Sequence, residues 1–239
     1  MSRRTLYGTV IVTYRYNAHC NMCDCFRDPT KPEEEITLDV IRKLPEMAFT
    51  NITGGEPFIR KDLPEIVREL YKKSDRIVIS TNGYFTERIL ALCEEFPEVG
   101  VRISIEGLQE TNDEIRGIPD GFNRGYTTLK KLVEEKHPDV GFGMTVQDRN
   151  CEDLLALYNI ANDMGMESLV AYVIVFQSMG KEKGNNSAFL FLIGLDDLED
   201  MRDESSINYV IAHIDKQTTG FSLRFGGEKE SLLNQLCSD

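Results

Sequence analysis

Along the chain, short β-branched runs alternate with longer stretches whose apolar residues recur every three or four positions. Strands are predicted over Gly8–Thr13, Phe49–Thr53, Arg76–Thr81, Gly100–Ile105, Val140–Val146 and Ser168–Phe176. Helices are predicted over Leu38–Met47, Leu63–Lys72, Thr86–Glu95, Asn123–Glu135 and Glu152–Met164. Thr37 and Asp62 suit N-caps, and Pro64 suits a first helical turn. Leu129, Leu132 and Val133 share one helical face, as do Leu154, Leu155, Leu157 and Tyr158. Val- and Ile-rich strands joined by helices indicate an α/β fold, a parallel sheet covered by helices.

Strand starts recur about every 24 to 40 residues, the length of one βα unit. Five or six such units make either a partial barrel or an open, doubly wound sheet. The rhythm holds through residues 1–180, read as the core. The composition changes at Gly180–Asn186. Residues 181–239 are read as a completion of the barrel or a short extension, with a helix over Leu195–Asp215 and a strand over Phe221–Phe225.

Composition narrows the function. Of 239 residues, 27 are Lys or Arg and 40 are Asp or Glu, a net charge of −13. Phosphate-rich partners are repelled by such a field, so neither nucleic acid nor an anionic membrane is expected. The longest apolar runs, Leu169–Phe176 and Ala188–Ile193, fall short of the roughly 20 residues that span a bilayer. The basic N-terminus lacks the apolar core of a signal peptide, so a cytoplasmic location is expected. Six cysteines are too few for a disulfide scaffold of this length, yet three lie between positions 20 and 25. That cluster reads as metal or redox chemistry, whereas Cys93, Cys151 and Cys237 read as incidental.

In parallel α/β folds, chemistry collects beyond the carboxyl ends of the strands. Tyr16, His19, Cys20, Cys23 and Cys25 follow the first predicted strand. Gly54-Gly55-Glu56-Pro57 follows the second, Ser80-Thr81-Asn82-Gly83 closes the third, and Ser104-Ile105-Glu106-Gly107 closes the fourth. Gln147, Asp148 and Asn150 follow the fifth. Small, polar and glycine residues at one rim suit a large polar cofactor, because glycine admits close backbone approach and the polar side chains fix ligand groups.

These segments, in this order, resemble the core of a radical S-adenosylmethionine (SAM) enzyme over about three-quarters of the chain. The resemblance implies a partial (βα)6 TIM-like barrel. It also implies a 4Fe–4S cluster held by a Cys-x3-Cys-x2-Cys loop within a Thr-x-x-Cys-Asn context, with SAM chelated to the open iron. In the family, one electron from the cluster breaks the sulfonium bond of SAM and starts radical chemistry on a substrate. By the same resemblance Cys20 and Cys23 are the second and third ligands. Gly54, Gly55, Glu56 and Pro57 face the SAM amino group, and Asn82, Ser104 and Glu106 face its carboxylate or ribose. Asn150 faces the ribose or methionyl part, and Phe26 lies near the adenine. A peptide or small-molecule substrate is implied, as is a flavodoxin- or ferredoxin-type reductant for an active enzyme.

One position departs from the pattern: the first ligand position is Tyr16. A phenol with an ordinary pKa of about 10 is a poor substitute for a thiolate, and it is bulkier. Impaired cluster binding is the expectation. Cys25 is a candidate replacement ligand, and His19, Cys20, Cys23 and Cys25 are also a zinc donor set by residue type. A cluster-free scaffold that binds a partner or small molecule is the alternative function. Arg116 is expected to pair with Asp113.

Overall fold

The computed structural model describes residues 6–23, 25–145, 149–150, 153–164, 170–175 and 189–194. Five parallel strands form one sheet in the order of the sequence: β1 (Tyr7–Ile11), β2 (Met47–Thr53), β3 (Ser74–Thr81), β4 (Gly100–Ser104) and β5 (Val140–Gly143). The helices are α1 (Leu38–Arg42), α2 (Leu63–Tyr71), α3 (Thr86–Glu95), α4 (Gln109–Arg116), α5 (Gly121–Glu134) and α6 (Asp153–Asp163). The chain divides into two compact units, Met1–Phe142 and Gly143–Asp239. In the second, β6 (Val170–Val175) pairs antiparallel with β7 (Phe189–Gly194), a partner that the sequence pattern did not show. Residues 195–239 lie outside the described residues, and with them the helix and strand expected there. The boundary at 180, Gln147, Asp148, Cys151 and Cys237 lie outside them too.

Register explains the two faces of the sheet. Val10, Ile52, Ile79 and Val101 are partners in successive strands, and all are buried. Ile103 shares their face and packs under Gly125 of α5. The opposite face carries Thr9, Asn51, Ser80 and Arg102, with Ser80 Oγ donating to Asn51 Oδ1 at 3.0 Å. Alternation of side chains therefore separates a largely apolar, helix-covered face from a mixed one, which also carries Phe49 and Val78.

Three local expectations need correction. Helix α1 ends at Arg42 rather than continuing to Met47. Pro45 disfavours helix at Leu44, and Met47 N and Ala48 N are drawn into sheet-edge bonds with Lys73 O and Leu6 O, both at 2.7 Å. Thr37 does cap α1, accepting from Val40 N at 3.4 Å. Asp62 makes no cap bond, because its carboxylate is taken by Arg60 at 2.5 and 2.9 Å. Helix α4 was not foreseen: Ile115 is its one apolar residue, so it has no periodicity to read.

Candidate functional site

The site is built on the carboxyl ends of β1 to β4. After β1 the chain leaves the sheet as a loop, and two neighbouring segments hold that loop by its backbone. From the turn after β2, Gly55 N donates to Thr13 O at 2.7 Å and Glu56 N to Arg15 O at 2.9 Å. From the end of α4, Arg116 O accepts from His19 N at 3.0 Å and Ile115 O from Asn21 N at 2.9 Å. These carbonyls belong to the last helical turn, which has no intrahelical donor for them.

The glycines make this packing possible. A Cβ on Gly54 would sit 2.2 Å from Thr13 O, and one on Gly55 would sit 2.2 Å from Arg15 O. Gly54 also has φ +153°, a conformation open mainly to glycine. The close approach at both positions is to the cysteine loop's own backbone.

A buried ionic network anchors the loop's start. Glu35 accepts from Thr13 Oγ1 at 2.5 Å, from Arg15 Nε at 2.7 Å and from Thr30 Oγ1 at 3.2 Å. Arg60 approaches the same carboxylate at 3.7 Å and donates to Val12 O and Ile36 O, both at 2.9 Å. Burial works to raise the Glu35 carboxyl, but the bonds from Arg15 and Thr13 outweigh it and hold it below its ordinary value. Sequence reasoning missed Glu35, Arg15 and Arg60, since an acidic run at 33–35 reads as solvated surface.

Glu56 is fully buried, and its carboxylate is engaged within the chain. Oε1 accepts from Phe58 N at 3.0 Å and Thr81 Oγ1 at 2.8 Å, and Oε2 accepts from Asn82 N at 2.8 Å. Burial pushes this carboxyl up, against those bonds. Pro57 opens a 3-10 turn over Pro57–Ile59 and is buried. Asn82 donates through Nδ2 to Asn17 Oδ1 at 2.8 Å and accepts through Oδ1 from Tyr84 N at 3.0 Å. Asn17 thus ties the cysteine loop to the end of β3. Its signal was legible in the sequence, as the Asn of the Thr-x-x-Cys-Asn context.

Cys20, Cys23 and Tyr16 meet in one small cluster with Ala18, Met22, Tyr84 and Ile118. Cys20 is buried, and Cys23 and Cys25 are half-buried; all three are free thiols. The Cys20 thiol, bonded to Cys23 and buried, is pushed up, and Cys23 is drawn down by that bond. The Tyr16 hydroxyl accepts from Arg116 Nη1 at 2.7 Å and from Cys20 Sγ at 3.6 Å. Arg116 Nη2 donates to Glu106 Oε1 at 2.5 Å, with both side chains buried. Burial pushes the phenol far above its ordinary value, against the pull of Arg116. Arg116 therefore pairs with Glu106 rather than Asp113, whose Oδ1 accepts instead from Phe122 N at 2.7 Å.

The remaining predicted residues fall as follows. Ser104 closes β4, half-buried. Phe26 meets the His19 ring edge-on at 5.1 Å, with Arg27 over its face at 5.8 Å. Asn150, in the second unit, donates to Thr145 O at 2.8 Å.

A cluster with one open iron requires three thiolates at one point. Here Cys20 and Cys23 meet a neutral, arginine-bound phenol, and Cys25 is hydrogen-bonded to Cys23. Among the described residues, no group of three His, Cys, Asp or Glu side chains is arranged to hold a metal ion. The phenol at position 16 does not match the family's three-thiolate set.

Comparison with known proteins places the chain in a family. Residues 10–161 match the radical SAM superfamily. The chain belongs to that superfamily, whose members use a 4Fe–4S cluster together with SAM. It is 30% identical over 191 residues to Fe-coproporphyrin III synthase of Methanosarcina barkeri, covering 75% of this chain and 46% of that one. It is 29% identical over 152 residues to the sporulation killing factor maturation protein SkfB of Bacillus subtilis, covering 61% and 37%. Its fold is similar to that of Streptococcus suis SuiB bound to SAM, with TM-score 0.59, 15% identity and coverage of 97% and 52%. SuiB bound to the precursor peptide SuiA gives the same TM-score, 0.59, at 16% identity and coverage of 97% and 50%. The partial-barrel α/β fold expected from the sequence is the fold of these neighbours. The chain spans about half the length of the curated relatives it matches. Among the described residues, no helix is long and apolar enough to cross a membrane.

Proposed function

We propose that this chain is a radical SAM-fold protein that receives a peptide or small-molecule substrate but does not start radical chemistry from its own cysteine loop. One observation carries the reading: the phenol at the first ligand position is bonded to Arg116 at 2.7 Å, where the family places a thiolate. Relatives support the substrate class. SkfB is named for maturing a killing factor, and SuiB has been solved with its precursor peptide. The sheet face with Asn51 and Ser80 offers hydrogen-bonding groups to such a substrate. In the first unit Phe26 and Ser104 remain the candidates for SAM contact, and Asn150 remains one by sequence resemblance alone. Gly54, Gly55, Glu56, Pro57, Asn82 and Glu106 act behind them by shaping the loops. A flavodoxin- or ferredoxin-type reductant is required only by a cluster-bearing form, and a cytoplasmic location fits three free thiols side by side.

Anaerobic incubation with ferrous iron, sulfide and reductant tests the reading. The unaltered chain is expected to show no sulfide-to-iron charge-transfer absorption and no 5′-deoxyadenosine from SAM. Tyr16→Cys is expected to gain the absorption. Stoichiometric iron–sulfur binding and SAM cleavage by the unaltered chain would overturn it.

A further inference from the structure

The cysteine loop is held in place by bonds within the chain. Four backbone bonds, from Gly55, Glu56, His19 and Asn21, secure its two ends. Tyr16 lies between these two pairs of bonds, and Cys20, 1% exposed, lies between His19 and Asn21. There the sequence Glu106 Oε1, Arg116 Nη2, Arg116 Nη1, Tyr16 Oη runs from the end of β4 into the loop in two steps of 2.5 and 2.7 Å. Cys20 Sγ lies 3.6 Å from Tyr16 Oη and 4.0 Å from Arg116 Nη1, at the end of this chain of bonds. A guanidinium is planar and two-armed, so bonding on both arms fixes its position and that of the acceptors. Its Nε is buried with no partner among the described residues, so the two Nη bonds set its orientation.

We propose that the Glu106–Arg116–Tyr16 chain cross-links the cysteine loop to the barrel, taking the place of the cross-link that three metal-bound thiolates would make. Glu106 and Arg116 are positioning residues, acting on the loop through Tyr16. This rests on the reading of the loop as metal-free, and it adds what orders the loop in that state. It also reassigns Glu106, which sequence resemblance directs to SAM.

The experiment uses the full chain as purified, without iron, and follows labelling of each cysteine by an aromatic disulfide reagent with mass spectrometry. Cys20 reacts only when the loop opens. Cys93, buried on α3, reports opening of the barrel itself. Tyr16→Phe keeps the ring and removes the acceptor, and Glu106→Gln keeps the shape and removes the charge. Both are expected to speed Cys20 labelling by about tenfold or more, the effect of losing a hydrogen bond to a charged group, with Cys93 unchanged. Cys20 labelling at the unaltered rate in both variants overturns the cross-link and leaves the metal-free reading standing. Equal acceleration of Cys93 in both variants also overturns it, because the bonds then serve the barrel and not the loop. Iron uptake by the unaltered chain in a parallel reconstitution overturns the underlying reading instead.

Discussion

A carboxylate under a strand end behaves differently from the same residue on a surface, and Glu35 shows the consequence. Its four polar neighbours, Thr13, Arg15, Thr30 and Arg60, all favour the charged form, so its folded pKa lies below the ordinary value of about 4.3. Its contribution is therefore complete above that pH and is lost as pH falls through the lower, folded value. Glu35→Gln is expected to cost roughly 1–3 kcal/mol at neutral pH and to shrink the acid-side loss of stability below about pH 4. Denaturant melts at neutral and acidic pH check both; an unchanged difference between the proteins at the two values would contradict the assignment. Position 16 carries the same lesson with opposite sign. A group meant for ionisation and metal is replaced by one that burial keeps neutral, and the neighbouring cation becomes its hydrogen-bond donor.

Between elements, the turn after β2 is where space is tightest. A Cβ on Gly54 meets a backbone oxygen of the cysteine loop, whereas one on Gly8 meets the sulfur of the flexible Met47 side chain at 2.5 Å. Gly54→Ala must distort either β2's exit or the loop, with about 1–3 kcal/mol from the backbone conformation alone. The melting temperature is expected to fall by at least about 2 °C. Gly8→Ala is expected to cost less, because a methionine side chain can rotate away. Equal losses in the two variants would show that the loop does not depend on this approach. Helix α4 belongs to the same scale. It has little apolar surface, yet it supplies Arg116 from its last turn and Gly117, at φ +56°, ends it against His19 O.

For the whole molecule, the excess of 40 acidic over 27 basic residues sets solubility and the partners that are repelled. With an isoelectric point near 4.8, repulsion between copies vanishes at that pH. Solubility is expected to pass through a minimum there, and a turbidity scan from pH 4 to 7 without a maximum near it would contradict this. The mixed sheet face is likewise a property of the assembled sheet. Arg102 sits on it but is tied to Asp139 at 2.6 Å, which Arg76 also holds at 2.8 Å, so its charge is matched before any substrate arrives.

By itself the sequence determined the five parallel strands, because Val and Ile runs at βα spacing have few other ways to be buried. It also determined the order of the rim motifs and the odd residue at position 16, since these are local patterns read in a line. Tertiary structure alone decided the partners. Glu56, Asn82 and Glu106 read in the sequence as ligand contacts, and the folded chain brings Phe58, Thr81, Asn17 and Arg116 to them as partners that the sequence does not show. Arg116 lies 100 residues from the phenol it holds, and Glu35 lies 22 residues from Thr13. Hydrogen bonds depend on distance and direction in space, and separation along the chain carries no record of either.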